Sequence, residues 1–470
     1  MNIMKKTKII CSIGPASVNY DVMRQMVLAG MNVARINFSH ATLEERRQVE
    51  ETVARVNADL GTNVAILYDT KGPDFRTGVM AEGGVKLEEG EIIRIVKKDV
   101  LGTEESFTVN FKNVLKEINV GDNILLEDGL MKLQVIDKEE DDLVCKIIAG
   151  GLLKSKKGIN VPGVDLNIEF LSPEDIADIV YACEKDGDFL ALSFVNSKDN
   201  ILAVREILKQ HNSNMKIISK VESGIALQNI DEIIEYSDGI MVARGDLGVE
   251  IPCEEIPIAQ KEIIRKCREQ GKACIVATEM LASMYTSSRP TRAEVTDIAN
   301  AVLDGCDTVM LSGETTVGKY PVDAVRYMAK ICENTENHID YDLDRREANC
   351  DVTGAIAHSV VEVSNSLKAK LIVTPTMSGY TARKISNLKP RCLVLATCPN
   401  EKVAKSLALN WGVYTKVTKV YGSTDEVVMD SKAKAMDFMD LKEKDIIVIT
   451  GGLPNDVEER TTNLMKVEQI

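Results

Sequence analysis

The chain has 470 residues, 44% of them hydrophobic but only 4% aromatic, and its 57 lysines and arginines stand against 72 aspartates and glutamates, a formal charge of −15. This length accommodates two to four domains with aliphatic cores. The acidic balance argues against a general binder of nucleic acid or anionic membrane, while permitting a local basic pocket for a small phosphate compound.

There are 11 cysteines without a C-x-x-C, and the four histidines (His40, His211, His338, His358) show no ligand spacing. Reduced thiols in a cytoplasmic protein are therefore expected over disulfides or zinc. No apolar run is long enough for a membrane span.

The N-terminal MNIMKKTKIICSIG shares only its lysines with a secretory signal; its apolar run is too short, and it reads as a strand. A unit then recurs: amphipathic helix, glycine, two residues, apolar strand. The glycines are Gly30, Gly61, Gly187, Gly271 and Gly305, each placed to end a helix in a left-handed turn. Val49, Val53, Val56 and Leu60 form one helical stripe, and Ser172-Pro173-Glu174-Asp175 reads as a helix N-cap with proline at the first position.

In chain order the strand candidates are Thr7–Ile13, Asn32–Phe38, Asn63–Asp69, Asp188–Val195, Lys216–Val221, Gly239–Ala243, Ala273–Thr278 and Thr308–Leu311. Eight nearly continuous apolar runs alternating with helices predict an α/β fold, a closed (β/α)8 TIM barrel, with an open doubly wound sheet as the fallback. The one long gap, residues 74–165, holds short strand-like runs and the turn signal Asp128-Gly129, and reads as an inserted small β domain. The barrel thus comprises 1–73 and 166–343. Beyond a charged linker, YDLDRREANC, the runs KLIVTPT, CLVLAT and DIIVIT alternate with helices and predict a C-terminal α/β domain over 344–470.

A (β/α)8 barrel carries its active site at the C-terminal ends of the strands. There the sequence offers Arg35, Asn37, Ser39 and His40 after strand two, and Asp69, Thr70, Lys71, Asp74 and Arg76 after strand three. Ser193 follows strand four, Lys220 and Glu222 strand five, Arg244-Gly245-Asp246 strand six, Thr278-Glu279 strand seven, and Ser312-Gly313-Glu314 strand eight. Lys220 and Glu222, two apart on a strand, point the same way. Glu222 with Asp246 supplies two carboxylates of the kind that hold Mg2+ together with substrate oxygens and water. Lys220 and Arg35 are placed to meet phosphoryl oxygens, and Gly245 permits close backbone approach. Mutual ion pairing explains any one pair of these charges, but not the convergence of seven strand ends. The arrangement suits phosphoryl transfer or a metal-stabilised enolate, and spacing alone does not separate them.

The segments KTKIICSIGPAS, MNVARINFSH, DTKGPDFRT, KKGINVPG, IISKVES, DGIMVARGDLGVE, SRPTRAEVTDIANAVLDGCD and MLSGET, in this order, resemble the pyruvate kinase family over essentially the whole chain. The resemblance implies conversion of phosphoenolpyruvate and ADP to pyruvate and ATP with Mg2+ and K+, a β-barrel lid (74–165), a regulatory C-terminal domain and a homotetramer. It implies Glu222 and Asp246 as Mg2+ ligands, and Asn37, Ser39, Asp69 and Thr70 as the K+ site. Lys220 would stabilise the phosphoryl group in flight and Arg35 would bind phosphate. Gly245, Asp246 and Thr278 would hold the substrate carboxylate region, with Thr278 and Ser312 as candidates for protonating the enolate. Arg76 and Lys157 would be nucleotide contacts, with Asn37 and His40 beside them, and Pro73 and Pro162-Gly163 are suitable lid pivots.

The chain departs from the family pattern at Asp74-Phe75, Glu279, Asn196 and NIEFLSPED, none of which removes a metal or phosphate ligand. Thr376, Ser378, Gly379 and Thr381 match the turn where the family binds a sugar-phosphate effector. Asp456, Glu458 and Glu459 crowd the neighbouring C-terminal loop, so weak or altered activation is expected. No phosphohistidine-type domain is expected after Ile470. The alternative reading is a Mg2+-dependent barrel lyase or aldolase acting on a pyruvate-like enolate, against which Arg76, Lys157 and the lid count.

Overall fold

The computed structural model describes residues 4–341, 351–452 and 462–470. The charged linker after Tyr341 and the acidic loop with Asp456, Glu458 and Glu459 lie outside the described residues.

All eight strand candidates form, as Lys8–Ser12, Val33–Asn37, Ala65–Asp69, Phe189–Leu192, Lys216–Val221, Gly239–Ala243, Ala273–Ala277 and Thr308–Leu311. They pair in parallel and in chain order, the eighth closing on the first with Lys8 opposite Thr308. Each is buried on both faces, which is why its sequence is apolar without alternation. One set of side chains fills the barrel, including Ile10, Val33, Leu67, Met241, Ile275 and Met310. The other set packs under the surrounding helices.

The helix Leu43–Leu60 buries Val49, Val53 and Val56 as its stripe requires, and Pro173–Glu184 starts with a Ser172/Asp175 capping box. Four of the recurring glycines take positive φ (Gly30, Gly61, Gly271, Gly305), but Gly187 does not. There Asp186 is left-handed (φ 51°). Gly187 is needed for packing instead, since a Cβ would fall 2.7 Å from Met215 Sδ and from the Tyr68 ring.

Between the third and fourth barrel strands the chain forms a mixed six-stranded sheet and a two-stranded one around a separate core containing Ile93, Phe107, Leu133 and Leu143. The edge strands of the larger sheet are Ile159–Asn160 and Ser106–Thr108. The segment Arg76-Thr77 bridges to Gly158 beside one and to Val109 beside the other, drawing the sheet into a barrel-like curl.

The C-terminal region is a five-stranded sheet in the order Val413–Val417, Leu393–Cys398, Leu371–Pro375, Ile446–Gly451, Leu464–Gln469, the last antiparallel. It lies under the N-terminal end of the barrel. Thr308 Oγ1 donates to the Leu409 carbonyl at 3.0 Å, and Lys389 Nζ reaches Asp307 Oδ1 at 2.5 Å. This leaves the opposite end, the mouth, facing the inserted unit. Among the described residues no helix is long and apolar enough to cross a membrane.

Candidate active site

A cleft of about 810 Å3 opens between the barrel mouth and the inserted unit. The barrel contributes Arg35, Asn37, Ser39, His40, Asp69, Thr70, Lys220, Glu222 and Asp246; the inserted unit contributes Arg76, Glu127, Lys157 and Asn160. The two sides touch where Asn160 Nδ2 donates to Glu250 Oε1 at 2.8 Å.

At the centre is a buried charge network. Lys220 Nζ lies 2.8 Å from Glu222 Oε1, 3.3 Å from Asp69 Oδ1 and 2.7 Å from Ser193 Oγ. Arg35 Nε donates to Asp69 Oδ2 at 2.6 Å, and Arg35 Nη1 to Ser12 Oγ at 2.7 Å. The second oxygen of Glu222 accepts the Phe194 amide at 2.6 Å. Burial alone would discharge Lys220, but Asp69, Glu222 and Asp246 outweigh it and hold the ammonium above its ordinary range. Burial pushes Glu222 up, to about 7, with the Asp246 charge adding to it and Lys220 opposing. Asp69 is buried too, yet Arg35 and Lys220 bring it below the usual carboxylate range.

The expected pairing of these charges with one another therefore occurs, and the paired groups still line the cleft. A carboxylate raised by burial and by a second carboxylate is a site short of positive charge. Among the described residues no three His, Cys, Asp or Glu side chains converge as a ready-made cage. Two carboxylates that leave most positions to substrate oxygens and water fit a small hard divalent cation better than an all-protein site would.

Other expectations are met differently. Arg244 does not line the cleft: it pairs with Asp297 Oδ1 at 2.7 Å and donates to the Thr278 carbonyl at 2.8 Å. It braces the end of strand seven. Nor do Gly245, Thr278 and Ser312 belong to the cleft wall. The Gly245 amide is bonded to Thr278 Oγ1 at 2.7 Å, next door to Asp246, while the Ser312 amide is bonded to buried Glu314 at 2.8 Å. Thr278 has φ 69°, an outlier for a β-branched residue, which marks a strained strand end. The three atoms nearest a Cβ at Gly245 would all be those of Thr278, at 3.5 Å or more, which is ordinary contact, so protein packing does not require the glycine.

In the C-terminal region Thr376 Oγ1 accepts the Gly379 amide at 3.0 Å, and buried Thr381 is bonded to Thr462 at 2.8 Å, so the four turn residues do not present four free groups. Sequence reasoning missed Ser12, which the strand-end rule would have found, and the Phe194 amide and the reach of Asp175 beyond its capping box to Gly72, which carry no local signal. Asp175 Oδ1 accepts the Gly72 amide at 3.0 Å and so ties the outgoing crossing to the returning one.

A family model described as the pyruvate kinase barrel domain matches residues 4–325, and one described as the pyruvate kinase alpha/beta domain matches 354–468. The pyruvate kinase of Geobacillus stearothermophilus is 45% identical over 473 residues, covering 99% of this chain and 80% of that protein. The pyruvate kinase of Bacillus licheniformis is 43% identical over 471 residues with the same coverage. A crystal structure of a pyruvate kinase from Cryptosporidium parvum aligns with a TM-score of 0.94 at 37% identity, covering 99% of this chain and 96% of that one. With a closed eight-stranded barrel, a buried lysine–carboxylate network at its mouth and both family models matched, the chain belongs to the pyruvate kinase family, enzymes that transfer the phosphoryl group of phosphoenolpyruvate to ADP and use a divalent cation.

Proposed function

We propose that this chain performs the family reaction with Lys220, Arg35, Glu222 and Asp246 as its phosphoryl-transfer machinery. The observation that carries this reading is that all four line one cleft, with Lys220 Nζ 2.8 Å from Glu222. Glu222 and Asp246 would hold Mg2+, which when bound neutralises charge on the phosphoryl oxygens.

The protein's own part is positioning and electrostatics. Lys220 stays charged where phosphorus passes between donor and acceptor, fixed by Asp69 and Ser193 rather than by the substrate. Arg35, oriented by Asp69 and Ser12, faces another phosphoryl oxygen. Asn37, Ser39, Asp69 and Thr70 line the same cleft as oxygen donors for K+. Asp246 lines the cleft, and the Gly245 amide and Thr278 hydroxyl, bonded to each other behind its wall, would have to part to join it in holding the substrate carboxylate region. Of the two candidates for directing a proton to the enolate carbon, Thr278 is favoured over Ser312, because its hydroxyl, accepting from the Gly245 amide and donating to the Ala277 carbonyl, lies next to Asp246.

Arg76 and Lys157 on the lid would take the nucleotide phosphates, with Asn37 and His40 nearby. Lid closure would then exclude water, so that ADP is the acceptor. The positive φ values of Gly72 and Gly163 (70° and 79°) beside Pro73 and Pro162 suit them to the two crossings. A cytoplasmic homotetramer, with a phosphorylated effector weakly bound at Thr376, Ser378, Gly379 and Thr381, completes this reading. The test is a coupled assay of pyruvate formed from phosphoenolpyruvate and ADP, repeated with Lys220→Met: activity in the parent and its near-complete loss in the variant are expected. Turnover surviving in the variant would sink the assignment.

A further inference from the structure

Both lid cations read as nucleotide contacts are already held by carboxylates. Lys157 Nζ lies 2.5 Å from Glu127 Oε1, and Arg76 Nε lies 2.5 Å from Asp74 Oδ2. The first pair is set by strand register. Leu126 pairs antiparallel with Ile159, and the Glu127 amide donates to the Gly158 carbonyl at 3.0 Å, which brings Glu127 beside Lys157. Both side chains line the cleft and are wet, at 26% and 32% exposure. The mouth pairs are different: there Glu222 is 2% exposed and one of its oxygens is tied to a backbone amide.

We propose that Glu127 sets nucleotide affinity by competing with the diphosphate for Lys157. This rests on the reading of Lys157 as a nucleotide contact. A carboxylate and a phosphate oxygen satisfy the same ammonium in the same way. A pair about a third exposed and open to the cleft is screened by water, so a diphosphate can displace it and Glu127 does not block the site; it lowers affinity by the worth of the pair. Once displaced, its negative charge stays close to the phosphates and opposes them. As product leaves, Glu127 recaptures Lys157, which shortens the time the nucleotide stays bound.

The experiment is isothermal titration of magnesium–ADP into the full chain and into Glu127→Gln, Lys157→Met and the double variant, alongside the KM for phosphoenolpyruvate. Glu127→Gln is expected to lower the ADP Kd about fivefold, the scale of a solvent-screened ion pair, and to leave the phosphoenolpyruvate KM where it was. Lys157→Met is expected to raise the ADP Kd about tenfold, and the gain from Glu127→Gln should vanish in its background. If Lys157→Met weakens ADP binding while Glu127→Gln leaves it equal or weaker, the competition is refuted and the nucleotide role of Lys157 stands. A gain persisting in the double variant also overturns it, since Glu127 would then act through the general field of the cleft. Unchanged ADP binding in Lys157→Met would bring down the nucleotide reading, and the inference with it.

Discussion

The two ends of the same barrel each bury lysines, and treat them in opposite ways. At the mouth Lys220 is surrounded by Asp69, Glu222 and Asp246, and its charge is reinforced. At the floor Lys5 donates to the Asn32 side-chain carbonyl at 2.8 Å, and Lys8 donates to the Val413 carbonyl over the Tyr414 ring, 4.1 Å from its centroid. Their hydrogen-bond acceptors are neutral, and burial outweighs the nearby Glu336 carboxylate and drives both ammonium groups down, Lys5 to about 8 and Lys8 well below its ordinary value. A buried cation kept charged by several carboxylates at the rim of a cleft is available to an anionic ligand, whereas Lys389, buried at the floor against the single carboxylate of Asp307, is still driven down by burial. A buried cation left to neutral acceptors is a packing element whose charge is a liability. Burial alone therefore does not mark out a candidate functional lysine; its position on the cleft and the number of carboxylates around it do so together.

Three substitutions break or sharpen this contrast. The largest effect belongs to Lys220→Met, for which we expect kcat to fall by about 10^3-fold or more, the scale of removing a preorganised charge from a developing anion. Steady-state kinetics at saturating substrates measures it. Next is the floor. Lys5 titrates near 8 in the native protein against 10.5 for an unperturbed lysine, because burial disfavours its charge. Between those values the unfolded chain binds the proton and the native one does not, so stability rises with pH across that window, by about 3 kcal/mol at most. Below pH 8 the full penalty applies. Lys5→Met should accordingly melt above the parent at pH 7, and the gap between their melting curves should close as the pH approaches 10. A gap constant with pH would show that Lys5 carries no such penalty. The smallest effect is expected of Arg35→Met, a rise in the phosphoenolpyruvate KM of about thirtyfold if Arg35 makes the phosphate contact proposed for it, one of several charge-assisted contacts.

The eight barrel strands were legible because burial on both faces leaves unbroken apolar runs, and topology then placed Lys220, Glu222 and Asp246 at one mouth without reference to any partner. What sequence could not supply was each group's partner far along the chain. Arg244 counted among the groups converging on the mouth because Asp297, 53 positions on, is invisible as its counterion until the strands close. Lys5 and Lys8 read as the polar start of an ordinary strand, because the segment around Val413 that covers them arrives from another domain. Gly187 read as a helix-ending turn, whereas its neighbour Asp186 takes the left-handed conformation and the glycine makes room for Tyr68 and Met215. The Glu127–Lys157 pair depends on lid register, which short runs with little alternation do not fix.

The account stands on Glu222 and Asp246 sharing one divalent ion. Mn2+ is a paramagnetic surrogate for Mg2+, and its binding to the parent, to Glu222→Gln and to Asp246→Asn can be followed by the loss of free-ion electron paramagnetic resonance signal, without reference to turnover. One tight site in the parent, weakened at least about tenfold in each single variant, is the predicted result. Either variant binding Mn2+ as tightly as the parent would contradict it.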